Sequence, residues 1–92
     1  MEFDEDWWWN DASNEVRFRA HDHERTVQFR ITQEALTDYF QTADSSEGAR
    51  ELFVDNRDLI EDVALLLLAD NDELKEILIT FQLFSHYAGS KG

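Results

Sequence analysis

The residues whose types and spacing suggest a chemical role are five carboxylates in the middle of the chain. Glu47, Glu51, Asp55, Asp58 and Asp62 are separated by four, four, three and four positions. Side chains three or four residues apart lie on the same face of an α-helix. The sequence therefore predicts a row of negative charges along one helix, and such a row favours binding of a positively charged partner.

Catalytic motifs are missing from the sequence. Its three glycines, Gly48, Gly89 and Gly92, form no phosphate-binding loop, and its serines and histidines follow no nucleophile pattern. His21 and His23 have the only metal-like spacing, but a third ligand is not evident. We therefore expect a protein that is not an enzyme and that has no catalytic residue, no cofactor and no metal ion.

The overall charge limits the class of partner. The 92 residues include 21 Asp and Glu against 8 Lys and Arg, so the net charge is −13. A chain this acidic is unsuited to direct binding of nucleic acid, which needs basic residues to displace counterions. It is equally unsuited to an anionic membrane surface. A basic partner protein fits this charge, and acidity that serves only solubility is the alternative.

Length and apolar runs predict a single domain spanning residues 1–92. The chain has no cysteine, and its first residues lack the basic and apolar regions of a signal peptide. The longest apolar run, Val63–Ala69, is far shorter than the roughly 20 residues that span a bilayer. We therefore expect a cytoplasmic protein without a membrane span.

The carboxylate row requires a helix, which we predict over residues 47–69 with Ser46 as its N-cap. Asn56 lies near the middle of the apolar side of this helix. Because a buried amide needs hydrogen-bond partners, we expect Asn56 to bond to the backbone of a neighbouring hairpin. The apolar side must face a core, and it consists of Ala49, Leu52, Phe53, Leu59, Ile60, Val63, Leu66 and Leu67.

A β-hairpin is predicted over residues 15–31. Two runs in which apolar and polar residues alternate flank a short polar turn, and this alternation is typical of half-buried strands. The outward positions include Arg17, Arg19 and Arg30. We expect these arginines to pair with the acidic residues of segment 1–15 across the sheet.

Three consecutive tryptophans stand in the acidic segment 1–15. If they form a strand, Trp7 and Trp9 share one face and Trp8 lies on the other. One interpretation is an edge strand whose indoles cover the core. The other is a partner-binding anchor at Trp8, because tryptophan is enriched at binding hot spots.

Together these elements predict an α+β fold. A small antiparallel sheet, made of the hairpin with or without the tryptophan segment as a third strand, packs against three helices. Besides the helix at 47–69, these are a short helix at 33–40, with Thr32 as its N-cap, and a last helix at 72–87. A flexible tail is expected at 88–92.

The predicted last helix has apolar residues on two nearly opposite sides. One side belongs against the core, and the second consists of Ile79, Leu83 and Tyr87. A helix with two apolar sides contacts two partners. The second side is therefore a homodimer interface, is covered by another element of the same chain, or contacts a target.

The chain also carries a recognisable order of short motifs. An acidic aromatic start is followed by the strands EVRFRA and VQFRIT, by QEAL, and by Phe53-x-x-Asn56-Arg57-x-x-Ile60. This order resembles a family of small bacterial proteins catalogued as domain of unknown function 1488, over roughly residues 3–69. The resemblance implies a hairpin followed by helices. It implies no activity, and no functional residues can be carried over from it.

The main functional hypothesis is a non-enzymatic interaction protein whose acidic surface binds a basic, nucleic-acid-binding protein. In its sharpest form the protein is a DNA mimic, because carboxylates at i and i+4 lie about 6 Å apart along a helix axis. That distance approximates the spacing of phosphates along one strand, and small phage inhibitors of restriction or CRISPR systems work in this general way. The alternative is a housekeeping bacterial protein that forms a homodimer through its last helix.

Overall fold

The computed structural model describes the backbone of residues 1–91 and the side chains of residues 1–89. In this part of the chain four strands form one mixed sheet, in the order β1-β2-β3-β4, and four helices pack against one of its faces. The predicted α+β class is confirmed. The elements are β1 (Glu2–Asn10), β2 (Glu15–His21), β3 (Thr26–Thr32), α1 (Gln33–Tyr39), α2 (Ser46–Asp55), α3 (Arg57–Asp70), β4 (Glu76–Ile79) and α4 (Phe81–Lys91).

The predicted hairpin is confirmed as the antiparallel pair β2 and β3. Phe18 lies opposite Phe29, and their rings stack with centroids 5.3 Å apart. Full burial of each such side chain contributes roughly 1.5–3 kcal/mol to folding. The turn is closed by Asp22, whose carboxylate accepts hydrogen bonds from the backbone N–H groups of Glu24 and Arg25. The inner face of the hairpin consists of Val16, Phe18, Ala20, Val27, Phe29 and Ile31, all fully buried.

The tryptophan segment forms a third antiparallel strand, β1, at the edge of the sheet beside β2. Phe3 pairs with Ala20, and Trp7 pairs with Phe18. Because four positions separate the two residues on β1 and only two separate their partners, β1 bulges over residues 4–6. Such bulges bend an edge strand and leave backbone groups unpaired.

Arg57, the first residue of α3, bonds to this bulge. Its guanidinium donates hydrogen bonds to the carbonyl oxygens of Asp4 and Glu5, and its Nε lies 2.8 Å from a carboxylate oxygen of Glu61. The edge strand is therefore fixed to the helical layer as well as to β2.

The predicted parity of the tryptophans is confirmed. Trp7 and Trp9 pack against the core, whereas Trp8 lies opposite Arg17 on the outer face of the sheet. The Trp7 ring contacts Phe53 of α2, with centroids 5.2 Å apart.

The predicted single helix over 47–69 is wrong, because the chain forms two helices that meet at Asn56. The backbone there has φ −120° and ψ 24°, outside the helical range. The side-chain amide of Asn56 donates to the carbonyl of Leu52, 3.0 Å away. The expected bond to the hairpin backbone is therefore wrong as well, since Asn competes for backbone groups of its own preceding turn.

Of the two predicted helix caps, one is confirmed and the other is shifted by one residue. Thr32 caps α1 as predicted, and its hydroxyl accepts from the N–H of Ala35 at 3.0 Å. The cap of α2 is Ser45 rather than Ser46, since the Ser45 hydroxyl accepts from the N–H of Gly48 at 3.0 Å.

The predicted helix over 72–87 is also wrong, because residues 76–79 form β4, parallel to β3. Ile77 and Ile79 are buried, while Glu76 and Leu78 are exposed. This is a period of two, the pattern of a strand with one buried face. When residues 76–79 are drawn as part of a helix, this strand pattern contributes to the two opposite apolar sides predicted from the sequence.

The last helix, α4, extends further than predicted. It runs to Lys91, and Ala88 is buried while Phe84 stacks on Tyr39 of α1, with centroids 4.8 Å apart. The predicted flexible tail at 88–92 is therefore wrong for residues 88–91, and Gly92 lies outside the described residues. None of the helices within residues 1–91 is long and apolar enough to cross a membrane.

Candidate partner-binding site

The five predicted carboxylates are all exposed, but they stand on two helices rather than one. Glu47, Glu51 and Asp55 belong to α2, and Asp58 and Asp62 belong to α3. Because Asn56 interrupts the helix between the two groups, the five charges do not form one straight row. The three carboxylates of α2 keep the spacing of four residues and therefore share one face.

Most of these carboxylates are not neutralised by a base. Among the side chains that the structure describes, Glu47, Glu51, Asp55 and Asp58 take part in no ion pair. The arginine of α2, Arg50, is directed toward β1, because its guanidinium lies over the ring of Trp9. A cation from another molecule therefore meets these carboxylates with little competition from within the chain.

The basic residues of the two helices are engaged by β1. Arg57 bonds to the bulge and to Glu61, and its guanidinium carbon lies 5.5 Å from the Phe53 ring centroid. Arg50 lies over the Trp9 ring at 5.6 Å. Both arginines thus stack on aromatic rings at distances typical of cation–π contacts.

Glu51 and Asp55 separate two surface hollows, and we call this pair the acidic ridge. Both residues line both hollows. The first, which we call the Trp7 hollow, has a volume of about 370 Å³ and is lined by Trp7, Arg50, Glu51, Val54 and Asp55. The second has a volume of about 220 Å³ and is lined by Thr42, Ala43, Ser45, Gly48, Glu51, Leu52 and Asp55.

The Trp7 hollow also presents apolar surface beside the carboxylates. Val54, which lies between Glu51 and Asp55 in the sequence, is 55% exposed. Trp7 is only half-buried, so part of its ring lies open. An exposed apolar patch bordered by charged groups is the usual composition of a protein-binding surface.

The sequence pattern selected Trp8 as the binding tryptophan and selected neither Trp7 nor Val54. The signal for Val54 was present, because Val54 comes three positions after Glu51 and residues three apart share a helix face. No such signal existed for Trp7, since only the packing of β1 against α2 brings its ring beside Glu51 and Asp55.

Trp8, the tryptophan predicted to bind a partner, lies away from the acidic ridge. Its ring is on the outer face of the sheet, below the guanidinium of Arg19 at 5.2 Å, whereas α2 packs on the inner face. The structure therefore does not bring Trp8 together with the predicted carboxylates.

The outer face of the sheet is organised around Glu15, which is buried. Its carboxylate accepts hydrogen bonds from Arg30 at 2.5 and 2.9 Å and from Arg17 at 3.0 Å. These bonds, above all those from Arg30, lower the pKa of Glu15 to about 2. We call Glu15, Arg17 and Arg30 the Glu15 cluster.

The expected pairing of outer-face arginines with segment 1–15 is thus confirmed in a specific form. Arg19 lies 3.3 Å from Asp4 of the bulge, while the other two arginines converge on Glu15, the last residue of that segment. Arg30 also lies 3.6 Å from Glu76 of β4.

The two histidines of the hairpin turn are not arranged as a metal site. His21 Nδ1 lies 2.7 Å from the carboxylate of Asp4, and His23 is exposed. Among the described residues no group of three or more His, Asp and Glu side chains could hold a metal ion.

The predicted homodimer face does not exist as one surface. Ile79 is fully buried in β4, Leu83 is 36% exposed on α4, and the hydroxyl of Tyr87 donates to Asp70 at 2.5 Å. This bond raises the pKa of Tyr87. Because the three residues were placed on one helix and in fact belong to a strand and a helix, the prediction of a shared interface is wrong.

Comparisons with other proteins identify the fold but no activity. Residues 1–79 match the family described as "Protein of unknown function (DUF1488)". The structure is similar to the crystal structure of a DUF1488 protein of unknown function from Shewanella loihica PV-4, with a TM-score of 0.66 and 22% identity. That similarity covers 85% of this chain and 89% of the other. No curated protein matches the sequence.

Proposed function

We propose that this chain, which belongs to the DUF1488 family, is a non-enzymatic interaction module that binds a basic segment of a partner protein in the cytoplasm. The binding surface is the acidic ridge with the Trp7 hollow beside it. The observation that carries the proposal is that Glu51 and Asp55 line both hollows while neither forms an ion pair among the described side chains.

Electrostatics favour binding of a positively charged partner at this surface. Seven carboxylates and two arginines lie between residues 46 and 70, and both arginines face β1. A surface of one sign accelerates encounter with a partner of opposite sign and orients it. The open ring of Trp7 and the exposed Val54 then supply apolar contact, which contributes affinity that charge alone gives poorly.

The more specific form of the proposal is that the partner is itself a nucleic-acid-binding protein. In that case the carboxylates of α2, about 6 Å apart along its axis, occupy positions that phosphates take in the partner's natural ligand. A mimic acting as a phage-type inhibitor would block that ligand. The interruption of the helix at Asn56 limits the regular spacing of four residues to the three carboxylates of α2.

The test is a comparison of two charge reversals with the same change in net charge. The variant Glu51→Lys/Asp55→Lys alters the acidic ridge. The matched control Glu34→Lys/Asp38→Lys reverses an exposed pair, also four residues apart, on α1. Immobilised wild-type and variant proteins are incubated with bacterial lysate at low and at high salt, and the retained proteins are identified by mass spectrometry.

We expect basic proteins that are retained by the wild type and by the control, that are lost with the ridge variant, and that dissociate at high salt through screening. Equal retention by all three proteins would refute the proposal. The mimic form is tested with a retained protein by adding duplex DNA. Displacement by DNA supports mimicry, and simultaneous binding of DNA and this protein contradicts it.

A further inference from the structure

We infer that the Trp7 hollow receives the guanidinium group of an arginine from the partner, held between the Trp7 ring and the carboxylates of Glu51 and Asp55. This inference rests on the proposed function and specifies the chemistry that the site recognises. It depends on three observations: the residues that line the hollow, the net charge of that lining, and the stacking of internal arginines on nearby aromatic rings.

The first feature is the combination of an aromatic ring and two carboxylates in one hollow. Trp7, Glu51 and Asp55 line the same space, and Trp7 is partly open to solvent. Indole has the most favourable ring for a cation, and a guanidinium can stack on it while its N–H groups remain free to bond carboxylates. A lysine ammonium offers a point charge without the flat face.

The second feature is charge complementarity. The lining holds two carboxylates and one guanidinium, that of Arg50. Arg50 is placed over Trp9, 5.6 Å from the ring centroid, so it occupies the neighbouring ring and not Trp7. The balance within the hollow is negative, and the exposed Glu5 and Asp6, directly before Trp7 in the chain, carry the same sign.

The third feature is that the protein already places guanidinium groups over two aromatic rings on the same side of the sheet as Trp7. Arg50 lies over Trp9 at 5.6 Å, and Arg57 lies at 5.5 Å over Phe53, the ring that Trp7 contacts. Among the described residues no arginine lies over Trp7 itself. The partner's arginine stacks on Trp7 in the same way.

The test uses short peptides that differ in one side chain. Acetyl-Gly-Arg-Gly-amide is titrated into ¹⁵N-labelled protein, and the three indole N–H signals are followed by NMR, with the Trp7 signal assigned from the variant Trp7→Phe. The lysine peptide tests the flat geometry of the guanidinium, and the citrulline peptide, of the same shape but uncharged, tests its charge.

We expect a saturable shift of the Trp7 indole signal with the arginine peptide at millimolar concentration, a several-fold weaker response to lysine and none to citrulline. The isosteric variant Glu51→Gln/Asp55→Asn should weaken arginine binding by about tenfold. The matched variant Glu34→Gln/Asp38→Asn should bind like the wild type. Equal shifts with citrulline, equal shifts of all three indoles, or undiminished binding by Glu51→Gln/Asp55→Asn would overturn the inference.

Failure of this inference is distinguishable from failure of the proposed function. If the arginine peptide does not bind but the ridge reversal still loses its lysate partner, the acidic surface binds by another contact and only the arginine site is refuted. If the arginine peptide does not bind and the ridge reversal keeps its lysate partner, both the arginine site and the proposed function are refuted.

Discussion

The Glu15 cluster and the acidic ridge use the same chemical group in opposite ways. Glu15 is buried between Arg17 and Arg30, and all its charge is met within the chain. Glu51 and Asp55 are exposed, and no described base pairs with them. A carboxylate paired inside the protein contributes to stability, whereas an exposed one contributes little to stability and remains available to another molecule.

Removing the charge of Glu15 tests most directly whether the two regions differ in their contribution to stability. Glu15→Gln removes the buried anion on which Arg17 and Arg30 converge, and leaves Arg30 with Glu76 at 3.6 Å. This loss should lower the free energy of unfolding by about 3 kcal/mol. The same change at the ridge, Glu51→Gln, should stay within about 0.5 kcal/mol. Urea unfolding followed by far-ultraviolet circular dichroism measures both values. Similar losses at both positions would show that burial does not separate the two regions.

Acid should remove the contribution of Glu15 without mutation. Its folded-state pKa, about 2, lies below the ordinary value of 4.5, so the stabilisation is fully present above pH 4.5. It decreases as the pH falls toward 2, because the unfolded chain binds the proton first. The difference in unfolding free energy between wild type and Glu15→Gln should therefore shrink by about 2 kcal/mol between pH 6 and pH 3.

Using the difference between these two proteins cancels the other carboxylates, which titrate in both. A difference that stays constant from pH 6 to pH 3 would contradict the assignment.

The smallest effect concerns Trp8, which shares the outer face with the Glu15 cluster. Trp8→Ala removes the stacking of Arg19 and some half-buried area, so the unfolding free energy should fall by only about 1 kcal/mol. Binding of the arginine peptide to the Trp7 hollow should be unchanged. Loss of that binding in Trp8→Ala, with the fold intact, would restore Trp8 as the anchor that its sequence context predicts.

Local patterns in the sequence determined the elements that depend on neighbouring residues. The alternation in β2 and β3, the parity of Trp7, Trp8 and Trp9, and the Thr32 cap are each set by the backbone repeat or by a bond within one turn. The exposure of Glu47, Glu51 and Asp55 followed from the same kind of information, because helical spacing assigns a face without reference to the rest of the fold.

The tertiary structure decided whatever depends on contacts between distant segments. Residues 76–79 (Glu-Ile-Leu-Ile) form an apolar run too short to be told from a helix by pattern alone, and pairing with β3 makes them a strand. Glu15 could be recognised as buried only once Arg30 lay beside it across the hairpin. Trp7 belongs to the candidate site only because β1 and α2 pack together, which brings Trp7 beside Glu51, more than forty positions away in the sequence. The spacing of residues along a helix or strand determines which face a side chain lies on, whereas the residues that this face contacts depend on how distant segments pack.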